Sequence, residues 1–418
     1  MTLSCFDLGE RMLSVEEARS ALGTLVEGPL PAESVTLAAA HGRVLAEAVV
    51  SPVDVPQSTN AAMDGIALAW PEAGPWPECW RRVGRLFAGQ RRETPLAPGE
   101  CLGITTGAPL PPGADTVIMR EQLEERGDDL VVVDRPERVR RGQHVRLAGE
   151  DIARGAQALA AGTRLSAAEL GLLASLGQAE ARVVRRPRIA IFSTGDEVTA
   201  PGEALPPAGV FDTNRFTLRG LVMEQGGEVI DLGILPDDRA ALVMALDEAA
   251  GLADLVITSG GVSVGEADHT RAALAEVGEL GFWRIAIRPG RPLACGRLGE
   301  RGVPFLGLPG NPVAVMVTFL QFVAPLLARL QGRGDGVPPR LTALAEHPLE
   351  SRTGRVDYLR GVYRCDDQGR LRVSSTGAQG SGILSSMVAA NCLIEIAAER
   401  EAVGPGEAVT LHPLHRLP

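Results

Sequence analysis

The sequence predicts a multidomain α/β plus β fold, in which a central α/β domain with a parallel-rich sheet is combined with small β units. Its 418 residues are too many for a single hydrophobic core. Between residues 185 and 331, apolar strand-like runs alternate with helical stretches, which predicts a parallel sheet with helices on both faces. Before and after this region lie segments in which prolines and glycines recur between short apolar runs, a texture typical of small β units.

The N-terminal part of the chain predicts one domain that is interrupted by another. Ser14 and Glu17 have the spacing of a helix capping box, and Ser166 and Glu169 repeat that spacing further along the chain. The β texture lies between these two helical stretches. We therefore predict a mixed α/β domain I at residues 1–50 and 146–184, with a β-rich domain II inserted at residues 51–145.

The alternating region predicts a domain III at residues 185–331, which begins after Arg185-Arg186-Pro187. Its strands are expected at 189–192, 229–232 and 254–258 and near residues 285, 293 and 305, and its helices at 212–225, 237–250, from 270 onward, and at 312–330. A linker rich in glycine and proline follows. Short strands separated by turn residues then predict a small β domain IV at residues 332–418.

Composition excludes several classes of function. The formal net charge of −11 argues against a general binder of nucleic acid or anionic membranes. All 41 basic residues are arginine, which excludes a Schiff-base lysine and a Walker-type phosphate lysine. The six cysteines lack CxxC spacing, so they predict neither a zinc site nor a disulfide framework. The N-terminal segment has no long apolar stretch, and we expect a soluble, cytoplasmic protein.

A glycine-rich loop follows the predicted strand at 254–258. Its glycine and serine residues are Ser259, Gly260, Gly261, Ser263 and Gly265. A strand, a glycine loop and a helix N-terminus together expose backbone N–H groups to an anion, and Asp268 at the end of the loop is placed for a metal or a ligand hydroxyl. Taken alone, a glycine cluster of this kind favours an ordinary βα turn, and only the motifs further along the chain favour the anion site.

Carboxylates follow three strands of the predicted sheet. Glu197 comes after the first strand, Asp237 and Asp238 after the second, and Asp268 after the third. In an open α/β sheet, ligands bind at the carboxyl ends of the strands, where these side chains would converge. Because clustered carboxylates repel one another, we expect a hard divalent cation such as Mg²⁺ among them, shared with a phosphate. Asp237 or Asp238 could instead cap the helix that begins there.

A basic segment carries Arg284, Arg288 and Arg291. Arg288 and Arg291 flank a Pro-Gly turn, which fixes both guanidinium groups and suits them to an oxyanion or phosphate. The stretch GLPGNP at 307–312 then turns a strand into a helix, with Asn311 as N-cap and Pro312 as the first helical residue. Within the β-rich region, Asp64 in NAAMDG and Thr106 in TTGAP also lie in turns, and each is compatible with turn chemistry alone.

Eight stretches occur in an order that resembles the MoeA family, the molybdopterin molybdenumtransferases, which includes the E domains of the plant and animal counterparts. They are NAAMDG, TTGAP, GEDI, STGDE, FDTNR, SGGVSVGEAD, FWRIAIRPGRP and GLPGNPV. The resemblance extends from about residue 8 to about residue 412. No single motif is decisive, but eight in the family's order are specific.

The resemblance implies an elongated homodimer with four domains per chain. Domain III would be the molybdopterin-binding, three-layer α/β domain, and domain IV a small β-barrel. The implied activity is a Mg²⁺-dependent insertion of molybdate into adenylylated molybdopterin with release of AMP. The family's active cleft lies between domain III of one subunit and domain II of the other. A molybdopterin adenylyltransferase and the maturation proteins of molybdoenzymes are the implied partners, with no role for nucleic acid or a membrane.

The positions that match the family's functional residues form two groups. On the pterin-nucleotide and metal side they are Asp64, Thr106, Arg146, Asp151, Glu197, Asp237 and Asp268, of which Glu197, Asp237 and Asp268 are the implied metal ligands. On the molybdate side they are Arg288, Arg291, Arg360 and Ser381, with Pro309 and Pro312 shaping the wall. Where the family commonly has lysines in the basic segment, this chain has Arg284, Arg288 and Arg291.

Three alternatives share parts of this pattern. The same α/β fold occurs in adenylyltransferases that make the nucleotide intermediate and in a group linked to nicotinamide-nucleotide amidohydrolases, so a nucleotide hydrolase is also conceivable. A non-catalytic scaffold is the third, because animal relatives anchor receptors at synapses. The full set of flanking domains favours the insertion step over the first two. The presence of Asp64, Glu197, Asp237 and Asp268 argues against the scaffold.

Overall fold

The computed structural model describes residues 12–72, 75–127, 129–236, 238–260, 269–334, 336 and 339–414. In the N-terminal part, the elements are β1 (Met12–Leu13), α1 (Val15–Gly23), β2 (Ala32–Thr36), β3 (Val49–Val50), β4 (Asn60–Ala61), β5 (Gly65–Leu68), β6 (Trp80–Leu86), β7 (Glu100–Ile104), β8 (Thr116–Met119), β9 (Leu123–Arg126), β10 (Leu130–Val133), β11 (Val145–Arg146), β12 (Gln157–Leu159), α2 (Ala167–Ser175) and β13 (Glu180–Val184).

The β-rich region is inserted into a domain whose two halves pair with each other. Strands β5 to β10 form one six-stranded sheet in the order β8-β5-β7-β6-β10-β9. On either side of it, β2 pairs with β13, β3 with β12 and β4 with β11, all antiparallel. Ala61 of β4 and Val145 of β11 pack in the core of the six-stranded sheet, whereas Val49 of β3 and Leu159 of β12 pack in the first domain, so the chain leaves that domain after β3 and returns to it at β12.

Both predicted capping boxes are present. The Ser14 hydroxyl accepts the backbone N–H of Glu17 at 3.1 Å, and the Glu17 carboxylate accepts the backbone N–H of Ser14 at 2.9 Å. At the second helix, Glu169 accepts the backbone N–H of Ser166 at 2.9 Å. These contacts satisfy N–H groups that the first turn of a helix leaves without partners.

The central region contains β14 (Arg188–Thr194), β15 (Val198–Thr199), β16 (Val210–Phe211), α3 (Asn214–Glu224), β17 (Glu228–Leu235), α4 (Arg239–Leu252), β18 (Leu255–Ser259), α5 (His269–Val277), β19 (Gly278–Ile285), β20 (Ile287–Arg288), β21 (Pro292–Leu298), β22 (Val303–Leu308), α6 (Pro312–Thr318), a π-helical turn (Phe319–Val323) and α7 (Ala324–Leu330). Its seven-stranded sheet has the order β1-β19-β21-β22-β18-β14-β17. Four neighbouring pairs are parallel, and β21 runs antiparallel to both of its neighbours, so the sheet is mixed as well as parallel-rich.

Helices cover both faces of this sheet. Ile189 and Ile191 of β14 belong to one core, which includes residues of α1, α3 and the continuous helical segment from α6 to α7. Ala190 and Phe192 alternate with them and belong to a second core beneath α4 and α5. The period of two along the strand therefore divides its side chains between two helical layers. This arrangement confirms the three-layer α/β prediction.

Residues at the start of the described chain pack with the central sheet. Strand β1 pairs parallel with β19, Leu13 opposite Ile285. Leu13, Val15, Ala18 and Leu22 are buried in the same core as the central strands. The apolar face of α1 is thus covered by the central domain, whereas the sequence assigned this stretch to domain I.

An ion pair fixes the start of β14 against β18. Both oxygens of Asp254 accept hydrogen bonds from the Arg185 guanidinium, at 2.8 and 2.9 Å. Oδ2 of Asp254 also accepts the backbone N–H of Arg188 at 2.8 Å. The strand predicted at 254–258 begins one residue later, at Leu255, directly after Asp254.

The C-terminal region closes into a small barrel, which confirms the predicted β-barrel. Its elements are β23 (Leu341–Ala345), β24 (Leu349–Glu350), β25 (Val356–Cys365), β26 (Leu371–Ser375), α8 (Leu384–Ala389), β27 (Cys392–Ile396), β28 (Ala402–Val403) and β29 (Ala408–Pro413). Strands follow the order β25-β26-β23-β29-β27, and β27 pairs back with β25. Strand β20 of the central region pairs parallel with β25, so the barrel is joined directly to the α/β domain.

One helical segment within the described part of the chain, Pro312–Leu330, has the length and apolar composition of a membrane span, but 83% of its most apolar window is buried inside the protein. Val313, Val315, Phe319 and Phe322 of this segment belong to the larger core of the central domain. Its composition is accounted for by that burial.

Candidate active site

A cavity of about 760 Å³ lies where the central α/β domain meets the barrel. The α/β domain contributes Gly260, the turn at 287–292 and the loop at 309–311. The barrel contributes residues 350–352 and 355, the start of β25, and Gln379 and Ser381. Two separately folded units therefore shape one concave site, as is common for small-molecule ligands.

Five arginines line this cavity, and its charge is opposite to that of the whole protein. Their side chains come from Arg288, Arg291, Arg352, Arg355 and Arg360. The carboxylates that line it are Glu350 and Asp357. Burial and, after it, the nearby charges of Arg288 and Arg291 lower the pKa of the Arg355 guanidinium. Such a cluster suits a multiply charged oxyanion.

Arg360 is the most deeply buried cation of the cavity, with only 1% of its surface exposed. Its Nε donates to Ser386 Oγ at 3.0 Å, and its Nη2 donates to the Gly380 carbonyl at 3.1 Å. The side-chain amide of Gln379 brackets the backbone of Arg360, accepting from its N at 2.8 Å and donating to its O at 3.1 Å. Burial lowers the pKa of the Arg360 guanidinium. The barrel therefore holds this charge in one orientation at the cavity wall.

Part of the wall that the α/β domain contributes consists of main chain with small side chains. Gly260 has a φ of 88°, a left-handed conformation that favours glycine, and its N–H donates to the Leu308 carbonyl at 3.1 Å. Pro309 lines the cavity, and Pro312 begins α6 beside it. The Val313 N–H donates to the Ser381 carbonyl at 3.1 Å, which links this helix start to the barrel. Ser259 is buried at the end of β18.

Asp64 and Thr106 form a second polar group, in the inserted β domain. The Asp64 carboxylate accepts hydrogen bonds from the backbone N and from Oγ1 of Thr106, each at 2.7 Å. The backbone and side-chain hydrogen bonds of Thr106 lower the pKa of Asp64. Both residues are exposed, so the carboxylate is charged, fixed and accessible.

Arg146, at the end of β11, and Asp151, in the turns that follow, lie beside residues 55–60. Arg146 pairs with Asn60 across β11 and β4, and the Asp151 N–H donates to the Val55 carbonyl at 3.0 Å. Both side chains are exposed. They thus lie on the same inserted region as Asp64, away from the cavity lined by arginines.

The predicted metal ligands are only partly within the described residues. Glu197 is exposed in the turn after β14. Gly195 leaves room for that carboxylate. Any other residue at this position would place its Cβ 2.7 Å from Glu197 Oε2. Asp237 and Asp268 lie outside the described residues, as do Gly261, Ser263 and Gly265. Among the residues that are described, no group of three histidines, cysteines or carboxylates is close enough to hold a metal.

The oxygen chemistry of Glu197 nevertheless fits a hard cation. An exposed carboxylate at the carboxyl end of a parallel strand has the position and the donor type that Mg²⁺ prefers. Asp238, the alternative helix cap, accepts the backbone N–H of Ala241 at 2.9 Å and so caps α4.

The cavity unites six of the residues that the sequence singled out. They are Gly260, Arg288, Arg291, Pro309, Arg360 and Ser381. Arg284 does not line it: on β19 the side chains of Trp283 and Ile285 are buried, and the alternating Arg284 is exposed. Asp64, Thr106, Arg146, Asp151 and Glu197 are also absent from its lining, so a single chain shows two separate polar regions.

Sequence reasoning missed the arginines of the loop between β24 and β25. Arg352 and Arg355 flank a turn at Gly354, just as Arg288 and Arg291 flank a Pro-Gly turn. The signal that identified the first pair was therefore present for the second. Asp357, Ser351 and Gln379 carry no comparable signal. Asp357 reaches the cavity through the pairing of β20 with β25, and Ser351 and Gln379 are held there by hydrogen bonds to Asp357 and Arg360.

Three family models match consecutive parts of the chain. They describe a MoeA N-terminal region (domain I and II) at residues 13–177, a probable molybdopterin binding domain at residues 190–329, and a MoeA C-terminal region (domain IV) at residues 342–414. Together they span almost all of the described residues. Their order is also the order of the inserted N-terminal domain, the mixed sheet and the barrel in the structure.

Full-length relatives agree with these matches. A protein of Haemophilus influenzae named molybdopterin molybdenumtransferase is 42% identical over 407 residues, 97% of this chain and 100% of the relative. One of the same name from a Nostoc species is 36% identical over 384 residues, 90% of this chain and 87% of the relative. The crystal structure of a molybdopterin biosynthesis moeA protein from Pyrococcus horikoshii superposes with a TM-score of 0.82 at 29% identity, covering 97% of this chain and 100% of that one.

Proposed function

Because the chain belongs to the MoeA family, whose curated members are named molybdopterin molybdenumtransferases, we propose that it inserts molybdate into adenylylated molybdopterin and releases AMP. The observation that carries the proposal is the arginine-lined cavity between the α/β domain and the barrel. Molybdate is a tetrahedral dianion, and fixed guanidinium groups offer it charge and directed hydrogen bonds.

Arg288, Arg291, Arg352, Arg355 and Arg360 would bind and orient the oxyanion. Among these five arginines, Arg360 is held most firmly, because its guanidinium donates hydrogen bonds to Ser386 and to the Gly380 carbonyl. A preorganised cation of this kind stabilises developing negative charge without having to reorganise during the reaction. Gly260, with its left-handed backbone, leaves the wall open for a close approach of the substrate.

A divalent cation would be held by Glu197, with Asp237 and Asp268 as its proposed companions. When bound, Mg²⁺ would neutralise the phosphate groups of the nucleotide and stabilise the charge on the departing AMP. Glu197 supports this role by its exposure at the carboxyl end of β14. The residues of the cavity, by contrast, act on the oxyanion without a metal.

A homodimer would bring the two polar regions together. Asp64, Thr106, Arg146 and Asp151 do not line the arginine cavity of their own chain. We place them on the pterin-nucleotide side of a cleft that the inserted domain of a second copy completes. The Asp64 carboxylate supports this placement. Hydrogen bonds from Thr106 fix it in its charged form, and it is exposed at the surface of the inserted domain.

The direct test is AMP release from adenylylated molybdopterin by the purified protein with Mg²⁺, in the presence and absence of molybdate. We expect release only when molybdate is present. Release without molybdate would identify a nucleotide hydrolase on this fold. Tight binding of the nucleotide without any release would leave a carrier or a scaffold. An alanine substitution at Asp64 provides a matched variant, since it lies outside the arginine cavity and should still abolish AMP release.

A further inference from the structure

Asp357 is a buried carboxylate in a cavity wall dominated by arginines. It is 2% exposed and lines the cavity. Its Oδ2 accepts hydrogen bonds from Arg288 Nη1 at 2.8 Å and from Ser351 Oγ at 2.7 Å. Its Oδ1 is buried and has no hydrogen-bond partner among the described residues. Because burying a half-satisfied carboxylate is unfavourable for the fold itself, the residue calls for a role in the cavity.

One oxygen of Asp357 connects the two units that build the cavity. Arg288 lies on β20 of the α/β domain, directly paired with Asp357 on β25 of the barrel. Ser351 begins the barrel loop that carries Arg352 and Arg355. The carboxylate therefore fixes both the basic turn and the arginine loop relative to each other.

The same carboxylate affects an anion in two opposite ways. By holding Arg288 it orients one of the cations that would face the oxyanion. By its negative charge it opposes the attraction of the five arginines for any dianion in the cavity. Removing the charge should therefore raise the affinity for the anion, because the opposing charge is gone. It should also lower turnover, because Arg288 is no longer oriented.

We propose that Asp357 is a positioning residue that orients Arg288 for the reaction and, by its charge, keeps simple tetrahedral dianions such as sulfate from binding the cavity tightly. The inference rests on the proposed function in taking the cavity as the oxyanion site. It adds to the arginines a residue that lowers the affinity of the cavity for every tetrahedral dianion while it orients Arg288 for turnover.

The test compares D357N with the wild-type protein by calorimetric titration of sulfate and of molybdate at constant ionic strength. We expect both anions to bind D357N about tenfold more tightly, because one opposing charge is gone. We also expect turnover at saturating molybdate to fall about tenfold, because Arg288 loses its anchor. Structural damage would weaken anion binding. Tighter binding together with slower turnover would therefore distinguish the proposed role from a loss of structure. Unchanged or weaker anion binding, or tighter binding with unchanged turnover, would overturn the proposal.

Two variants serve as controls. D357E keeps the charge, and its anion affinity should stay within about threefold of the wild type. D367N removes the same charge from an exposed turn of the barrel, outside the cavity lining, and should leave both affinity and turnover unchanged. A tightening in D367N equal to that in D357N would assign the effect to net charge alone and contradict a role for position.

A second comparison remains decisive if D357N fails to fold. R288M and R291M each remove one cation from the cavity, but only R288M also leaves Asp357 without its ion-pair partner. R288M should therefore weaken sulfate binding about fivefold more than R291M. Equal losses would contradict the inference. Anion titrations need no pterin substrate, so an absence of AMP release in the wild type would refute the proposed function, while the titrations would still decide whether the charge of Asp357 limits anion binding.

Discussion

A single residue, Thr106, donates both hydrogen bonds that fix the carboxylate of Asp64, from its backbone N and its Oγ1, each at 2.7 Å. Thr106 lies 42 positions after Asp64 in the sequence, just beyond the end of strand β7. The two hydrogen bonds stabilise the ionised carboxylate and hold the pKa of Asp64 below its ordinary value, the backbone bond having the larger effect.

We predict that T106V raises the pKa of Asp64 part of the way towards its ordinary value, because the hydroxyl donor is lost while the backbone donor remains. The acid limb of any activity that requires ionised Asp64 should therefore move to higher pH. NMR titration of the Asp64 carboxyl measures the shift, and T106S, which keeps a hydroxyl, is the control. An unchanged pKa in T106V would show that the side-chain hydrogen bond is absent in solution.

A second prediction separates the arginines that line the cavity from one that does not. R355M should weaken molybdate binding about tenfold, since it removes a half-buried cation that lies close to Arg288 and Arg291. R284M removes an exposed arginine of the same basic segment, outside the cavity, and should change affinity less than twofold. Calorimetric titration at several salt concentrations measures both. A loss in R284M as large as in R355M would restore the role that the sequence assigned to Arg284.

A third prediction concerns the buried charge of Arg360. In R360K, the shorter amine cannot make both hydrogen bonds to Ser386 and Gly380. Lysine also has a lower ordinary pKa than arginine, so burial lowers the pKa of a lysine into the experimentally accessible pH range, whereas an arginine stays charged. The affinity of R360K for molybdate should therefore fall as the pH rises from about 6 to about 9. The arginine of the wild-type protein keeps its charge over this whole range. R364K, on the exposed part of the same strand, is the control. A flat pH profile for R360K would show that this position is well solvated.

Much of the fold follows from local signals. The capping boxes at Ser14 and Ser166 are near-neighbour patterns, and the alternation of apolar runs with helices is sufficient for the three-layer domain. The position of α1 could not be predicted in the same way. Its apolar face is visible in the sequence, but the sequence does not indicate whether domain I or the central domain covers it.

The site shows the same division. Arg288 and Arg291 could be identified because a Pro-Gly turn fixes them locally. Asp357 could not, because its significance arises from a parallel pairing between β20 and β25, in which Arg288 and Asp357 are 69 positions apart in the sequence. Arg284 was assigned to the site by its proximity in sequence to the other two arginines. Strand alternation, which places neighbouring side chains on opposite faces, points it away.

The last prediction concerns the junction between the N-terminal and central domains. Asp254 has a side chain that is 6% exposed, and it accepts hydrogen bonds from the Arg185 guanidinium and from the Arg188 backbone. D254N would leave Arg185 without its carboxylate and put an amide donor near other donors, at a cost of about 2 kcal/mol, less than for a fully buried pair because Arg185 is partly solvated. The midpoint of thermal unfolding, followed by circular dichroism, should fall by about 3 °C. E228Q is the matched control, because the Arg188–Glu228 pair is 3.9 Å apart with both side chains more than half exposed, and its removal should leave the midpoint unchanged. Equal midpoints for D254N and the wild type would mean that the ion pair contributes no net stability, and that the junction is held by the apolar core of the central domain alone.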